Sequence, residues 1–200
     1  DAFKTHLFDA MSVLFPDGER FFIDSVRLFR EQISDATLNE QIRGFIGQEG
    51  HHSREHPADS QRLRDLGYDV DYLERGIKRP QAFVQKHLPA AVQLAATTSV
   101  EHLTAIMADA VLSNPQWTAG ADPALATLWR WHALAETEHT AVAFDVFQQV
   151  SGSKWLLRRA MLQSTFFFTF DTTKGLIHML KRDGLLWNWR VWRDGLVWLW

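Results

Sequence analysis

The octapeptide His132-Ala133-Leu134-Ala135-Glu136-Thr137-Glu138-His139 decides the reading of this chain. Its small and apolar residues suit an α-helix, and His132, Glu136 and His139 stand at i, i+4 and i+7, stacked on one helical face. Two imidazoles and a carboxylate so aligned can reach one metal ion. The flanks mark out the helix that carries them. Asp122 and Pro123 form an N-cap with proline at the first helical position, and Ser151-Gly152 stops the run near Val150.

Moving outward, Glu49-Gly50-His51-His52 repeats the Glu-x-x-His spacing of Glu136 and His139. Each pair alone is a weak signal. Each, however, follows a long helix with an acidic residue embedded among apolar ones: Glu19 beside Phe21, Phe22 and Ile23, and Glu101 within the run from Leu94 to Met107. The chain therefore reads Glu, Glu-x-x-His, Glu, Glu-x-x-His on four successive helices. That is the ligand set of ferritin-like carboxylate proteins that hold two iron or manganese ions: one Glu from each of two helices and a Glu-x-x-His from each of the others. The separations, 30 residues from Glu19 to Glu49 and 35 from Glu101 to Glu136, each suit a helix, a turn and an antiparallel return. Four carboxylates in one core repel unless cations balance them, and two divalent metals do so. Oxygen and imidazole donors suit iron or manganese, and open coordination positions favour iron.

The predicted fold is all-α: a ferritin-like four-helix bundle with additional C-terminal helices. Strand signals are poor, and apolar residues recur at three- and four-residue spacing. A first helix is expected after the turn Phe15-Pro16-Asp17-Gly18 and runs to about Ile33. A second runs from about Ala36 to His56, where Pro57 ends or kinks it. After a break at Gly67-Tyr68-Asp69 comes a short helix from Tyr72 to Lys78. The third long helix starts near Pro80 or Pro89 and ends by Leu112, and the fourth spans Ala124 to about Val150. At 200 residues, 46% of them apolar, the chain suits one domain, 1–200, with the dimetal bundle in 12–150 and apolar, Trp-rich helices in 153–200.

Composition narrows the function. A net charge of -3 with scattered Lys and Arg excludes the broad basic face of a nucleic-acid binder. The absence of Cys excludes disulfides, thiolate-bound zinc, cysteine-ligated clusters and a cysteine nucleophile. No run reaches the ~18 uncharged apolar residues of a membrane span, and the N-terminus lacks a signal peptide's pattern, so a cytoplasmic location is expected. The chain opens without Met and closes among Trp residues, so further residues are expected beyond one or both ends.

The stretches FPDGERFFIDSVRLFR (15–30), FIGQEGHHSREH (45–56), VEHLTAIMADAVL (100–112) and LWRWHALAETEHTAVAFDVF (128–147) resemble a bacterial family labelled predicted metal-dependent hydrolases, over roughly residues 12 to 182. The resemblance implies a ferritin-like diiron site on Glu19, Glu49, His52, Glu101, His132, Glu136 and His139, and oxygen activation in place of hydrolysis. His132 is extra to the ferritin pattern and resembles the added histidine of arylamine N-oxygenases. His56, seven after Glu49, mirrors it as a weaker candidate.

The leading expectation is a nonheme diiron monooxygenase that uses O2 and an external electron donor, a reductase or ferredoxin, on a hydrophobic substrate of terpenoid or acyl type. The apolar neighbours Phe22, Ile23, Phe45, Ile46 and Trp131 prompt that substrate class. The alternatives are hydrolysis by metal-activated water and ferritin-like iron storage or peroxide scavenging. A tyrosyl-radical role is disfavoured, because Tyr68 and Tyr72 lie off the ligand helices. His51, Glu55, His102 and Glu138 fall off the ligand faces. Thr97, Thr98 and Thr104 read equally as cavity lining or helix packing. Gly44, Gly47 and Gly50 point to close packing or room beside the metals. The Trp-rich tail reads as helix packing or a homodimer face, in preference to a substrate-channel lid or a membrane-surface contact.

Overall fold

The computed structural model describes residues 1–139 and 141–199, the side chain of His139 excepted, and no strand occurs among them. The protein is all-helical: α1 (Ala2–Arg27), α2 (Ala36–Asp65), α3 (Val70–His87), α4 (Ala90–Ser113), α5 (Pro123–His139), α6 (Val142–Val150), α7 (Lys154–Arg182) and α8 (Trp189–Leu199). Short 3-10 turns at Arg30–Gln32 and Pro115–Trp117 complete it.

Several boundaries follow from capping chemistry. Asp35, Asp69 and Ser153 each accept a backbone N–H of the first turn of the helix they open, and Asp122 bonds the N–H of Ala124 at 2.9 Å. Gly67 (φ +85°) closes α2, with the Tyr68 N–H returning to the Leu63 carbonyl at 3.0 Å. A side chain there would be strained by the left-handed backbone.

Three prolines lie inside helices, and the third long helix opens after Pro89, the second of its two expected starts. α1 begins at Ala2 and passes through Pro16, α2 passes through Pro57, and α3 runs through Pro80 to His87. Each removes one backbone donor, at a cost of ~3 kcal/mol. In α1 the burial of Val13, Leu14, Phe15, Glu19, Phe21 and Phe22 on both sides of the proline keeps the helix continuous. The fourth predicted helix is divided instead, into α5 and α6, with no Gly or Pro to mark the division.

α1 packs on α2, α2 on α5, α5 on α4 and α4 on α1, so these four helices enclose one interior. Apolar packing fills it in two zones. One comprises Phe21, Phe22, Val26, Ile42, Phe45, Leu94, Val146 and Phe147. The other comprises Phe8, Met11, Phe15, Ala108, Val111, Trp129 and Ala133. On α1 and α4 the acidic residues Glu19 and Glu101 fall between the two zones in sequence. α7 lies against both α1 and α4. A Cβ on Gly175 would stand 2.7 Å from the Ala10 Cβ, so α7 and α1 cross almost backbone to backbone.

Candidate metal centre

Each enclosing helix sends predicted ligands inward: Glu19 from α1, Glu49 and His52 from α2, Glu101 from α4, and His132 and Glu136 from α5. All six are at most 4% exposed. The helical period accounts for it, since the apolar residues around each candidate put the same face in the core. The side chain of His139, the seventh predicted ligand, lies outside the described residues. His51, Glu55, His102 and Glu138 are exposed, as their positions on the helices require.

Polar side-chain atoms of Glu19, Glu49, His52, His132 and Glu136 converge. His132 Nε2 lies 3.1 Å from Glu136 Oε1. His52 Nδ1 is 3.6 Å from the same oxygen and 3.7 Å from Glu49 Oε1. Glu19 Oε1 is 3.9 Å from His132 Nδ1. Three overlapping triads bring their atoms within 4.8 Å of one another: Glu19, Glu49, His52; His52, His132, Glu136; and Glu19, His56, His132. The His52 and His132 rings stack at 4.3 Å.

Electrostatics mark the cluster as costly for a helical core. Burial holds the carboxyls of Glu19, Glu49 and Glu101 well above the ordinary carboxylate range, and repulsion from their acidic neighbours raises them further. Neither oxygen of Glu19 accepts a hydrogen bond among the described residues.

Sequence reading left the surroundings open, and the structure assigns them. His56 is fully buried. Its Nε2 is 3.0 Å from His132 Nδ1, and its Nδ1 is 2.8 Å from Ser12 Oγ. Burial, then the proximity of His132, push the His56 imidazole well below its usual range, so it stays neutral. Ser12 and Phe15, whose ring stacks on His132 at 4.9 Å, went unnoticed because Pro16 reads as a break. The continuous spacing of Phe8, Met11, Phe15 and Glu19 across Pro16 was the available signal. Of the three threonines, Thr104 alone joins the cluster, with its hydroxyl 2.7 Å from Glu136 Oε2. Thr97 bonds Ser25 at 2.7 Å, and Thr98 bonds the Leu94 and Ala143 carbonyls. Gly44, Gly47 and Gly50 border open space, with nothing within 4 Å of an added Cβ, so close packing does not explain them.

A cavity of about 290 Å³ reaches the cluster at Glu19, Thr104, His132 and Glu136, near the lower end of small-molecule sites. Its walls are almost wholly apolar, with Phe15, Phe21 and Phe22 from α1, Val84 and Leu88 from α3, and Phe167 and Phe168 from α7. No Lys or Arg lines it among the described residues. Of the aromatic and aliphatic neighbours expected to shape a substrate site, Phe22 does so. Ile23 and Phe45 are buried elsewhere in the core, and Trp131 meets His52 edge-on at 5.0 Å.

No helix among the described residues is long and apolar enough to cross a membrane. Neither the characterised proteins nor the solved structures contain a significant match to this sequence. A family model described as "Predicted metal-dependent hydrolase" matches residues 1–200. Buried His and Glu groups able to hold metal ions agree with that description, and the chain belongs to the predicted metal-dependent hydrolase family.

Proposed function

We propose that Glu19, Glu49, His52, Glu101, His132, Glu136 and His139 hold two metal ions in a ferritin-like four-helix bundle, and that the protein is a nonheme diiron monooxygenase acting on a hydrophobic small molecule. The observation that carries this reading is the joining of an acid–imidazole cluster to an apolar cavity with no Lys or Arg on its lining among the described residues.

The donors fit such ions. Carboxylate oxygens and imidazole nitrogens match iron or manganese, and no thiol competes. The two buried oxygens of Glu19 and the raised carboxyls of Glu49 and Glu101 are what a cation would relieve. Bound iron would supply redox chemistry toward O2, with electrons from an external reductase or ferredoxin.

The chain's own residues orient that chemistry. For His132 to offer its Nε2 lone pair, Nδ1 keeps the proton and donates to His56 Nε2, and His56 Nδ1 in turn donates to Ser12 Oγ. His56 is thereby a positioning residue and not a ligand. The Thr104 hydroxyl steadies Glu136 from the other side. The Phe, Val and Leu walls exclude water and select an apolar substrate, for which a terpenoid or acyl compound is suited.

Hydrolysis is the second reading, and the family's description favours it. It needs a redox-inert metal and donors for a developing oxyanion. Metal analysis followed by anaerobic reduction and O2 exposure separates the two. Two irons per chain and an oxygen-dependent optical change support the oxygenase. One zinc per chain, no response to O2, and ester hydrolysis that persists without air would establish the hydrolase.

A further inference from the structure

The cavity opens between α3 and α7, where its lining residues Pro80, Leu88, Gln163 and Phe167 are exposed. Beside that mouth α7 carries an unpartnered apolar face. Trp155, Leu162, Phe166 and Phe170 follow one another at seven-, four- and four-residue intervals and so share one side of the helix. Their exposures are 68%, 75%, 62% and 54%. Phe166 and Phe170 stack on each other at 6.1 Å, in contact with no other aromatic except Phe167 among the described residues. Phe167, at 54% exposure, joins this stripe to the cavity, and on α3 Phe83 is 58% exposed. Soluble monomers seldom leave so many large side chains contiguous and bare.

Charge decides what covers the face. Arg75, Arg79, Lys86, Lys154 and Arg158 on α3 and α7 are exposed and enter no ion pair among the described residues. Arg159 stacks over Trp155 at 5.5 Å. Residues 154–200 hold eight Lys and Arg against three acidic residues, in a chain whose net charge is -3. A second copy seated on the same face would bring like charges together and close the mouth. An anionic lipid surface attracts the basic residues, accepts the aromatic stripe at the headgroup level, and needs no spanning helix. We propose that the α3–α7 face around the cavity mouth docks on the surface of an anionic bilayer. Docking stands on this surface alone. The corollary, that an apolar substrate enters the cavity directly from the lipid, rests on the oxygenase reading above.

The test is flotation of the full chain with vesicles of phosphatidylcholine alone and of phosphatidylcholine and phosphatidylglycerol in equal parts. Binding is expected only to the mixed vesicles. It should fall about tenfold in high salt, in F166S/F170S and in R158E/R159E. The chain has no Cys, so an environment-sensitive dye on Phe170→Cys should shift to the blue on vesicle addition, and the same dye on exposed Gly47→Cys should not. No binding to mixed vesicles, equal binding by the variants, or a dimer that F166S/F170S abolishes while vesicles remain unbound would each overturn the proposal. Metal content of the same preparation keeps the two readings apart. Protein that holds metal but ignores vesicles overturns docking alone, and protein that floats without ever taking up metal overturns the metal centre alone.

Discussion

Replacing Glu101 by Gln should stabilise the metal-free protein and weaken the metal-loaded one. Glu101 is 1% exposed, and burial, then its acidic neighbour Glu136, raise its carboxyl well above the ordinary 4.5. The folded state therefore holds this proton more tightly than the unfolded chain does. Below 4.5 both states are protonated and nothing is lost. As pH rises from 4.5 toward the raised value, the unfolded chain ionises first and stability falls. Each pH unit over which the unfolded chain alone is ionised costs about 1.4 kcal/mol. Gln keeps the shape and cannot ionise. At pH 7.5 the metal-free variant should gain about 1–4 kcal/mol over the parent, or about 3–15 °C in Tm for a domain of this size. Its stability should also vary less between pH 5 and 7.5. With Fe(II) or Mn(II) added, the order should reverse, because the variant lacks one anionic donor. Calorimetry of both proteins, with and without metal at the two pH values, reads all four terms. A variant less stable than the parent without metal, or a parent that metal does not stabilise, would refute the reasoning.

Thr104→Val removes the hydroxyl 2.7 Å from Glu136 Oε2 without changing the volume. Metal affinity, measured by competition with a chelator, should drop about 10–100-fold with the fold intact. His56→Phe should lower affinity by a similar factor through loss of the His132 Nδ1 contact, and Ser12→Ala should do so more weakly; equal affinity in both would remove His56 from the positioning role. Gly175→Val forces α7 off α1 at Ala10 and should cost about 1–3 kcal/mol in denaturant unfolding. Phe22→Trp should fill part of the cavity, weakening binding of a hydrophobic dye while leaving metal stoichiometry unchanged.

The inward faces of the helices were legible from local sequence because a side chain's direction on a helix depends chiefly on its position in the period. Glu19, Glu49, His52, Glu101, His132 and Glu136 each sit within an apolar stripe, and burying the stripe buries the acid or imidazole with it. The same argument put His51, Glu55, His102 and Glu138 outside. Proline misled it at Pro16, and left it undecided at Pro57 and between Pro80 and Pro89. A local rule weighs only the lost hydrogen bond, whereas the burial that outweighs it comes from residues distant in sequence. For that reason the first half of α1, with Ser12 and Phe15, was hidden.

What the sequence alone determined was the helical class, the inward faces and the acid–imidazole inventory, all of which are matters of spacing along one helix. Only the tertiary structure decided that His56 bonds both His132 and Ser12 at the edge of the cluster, that Thr104 and not Thr97 or Thr98 meets a carboxylate, and that α3 and α7 wall an apolar cavity ending at Glu19, His132 and Glu136. Those facts depend on how far apart and at what angle helices cross, and crossing geometry is set by side chains on both partners together, such as Gly175 against Ala10, which no single segment encodes.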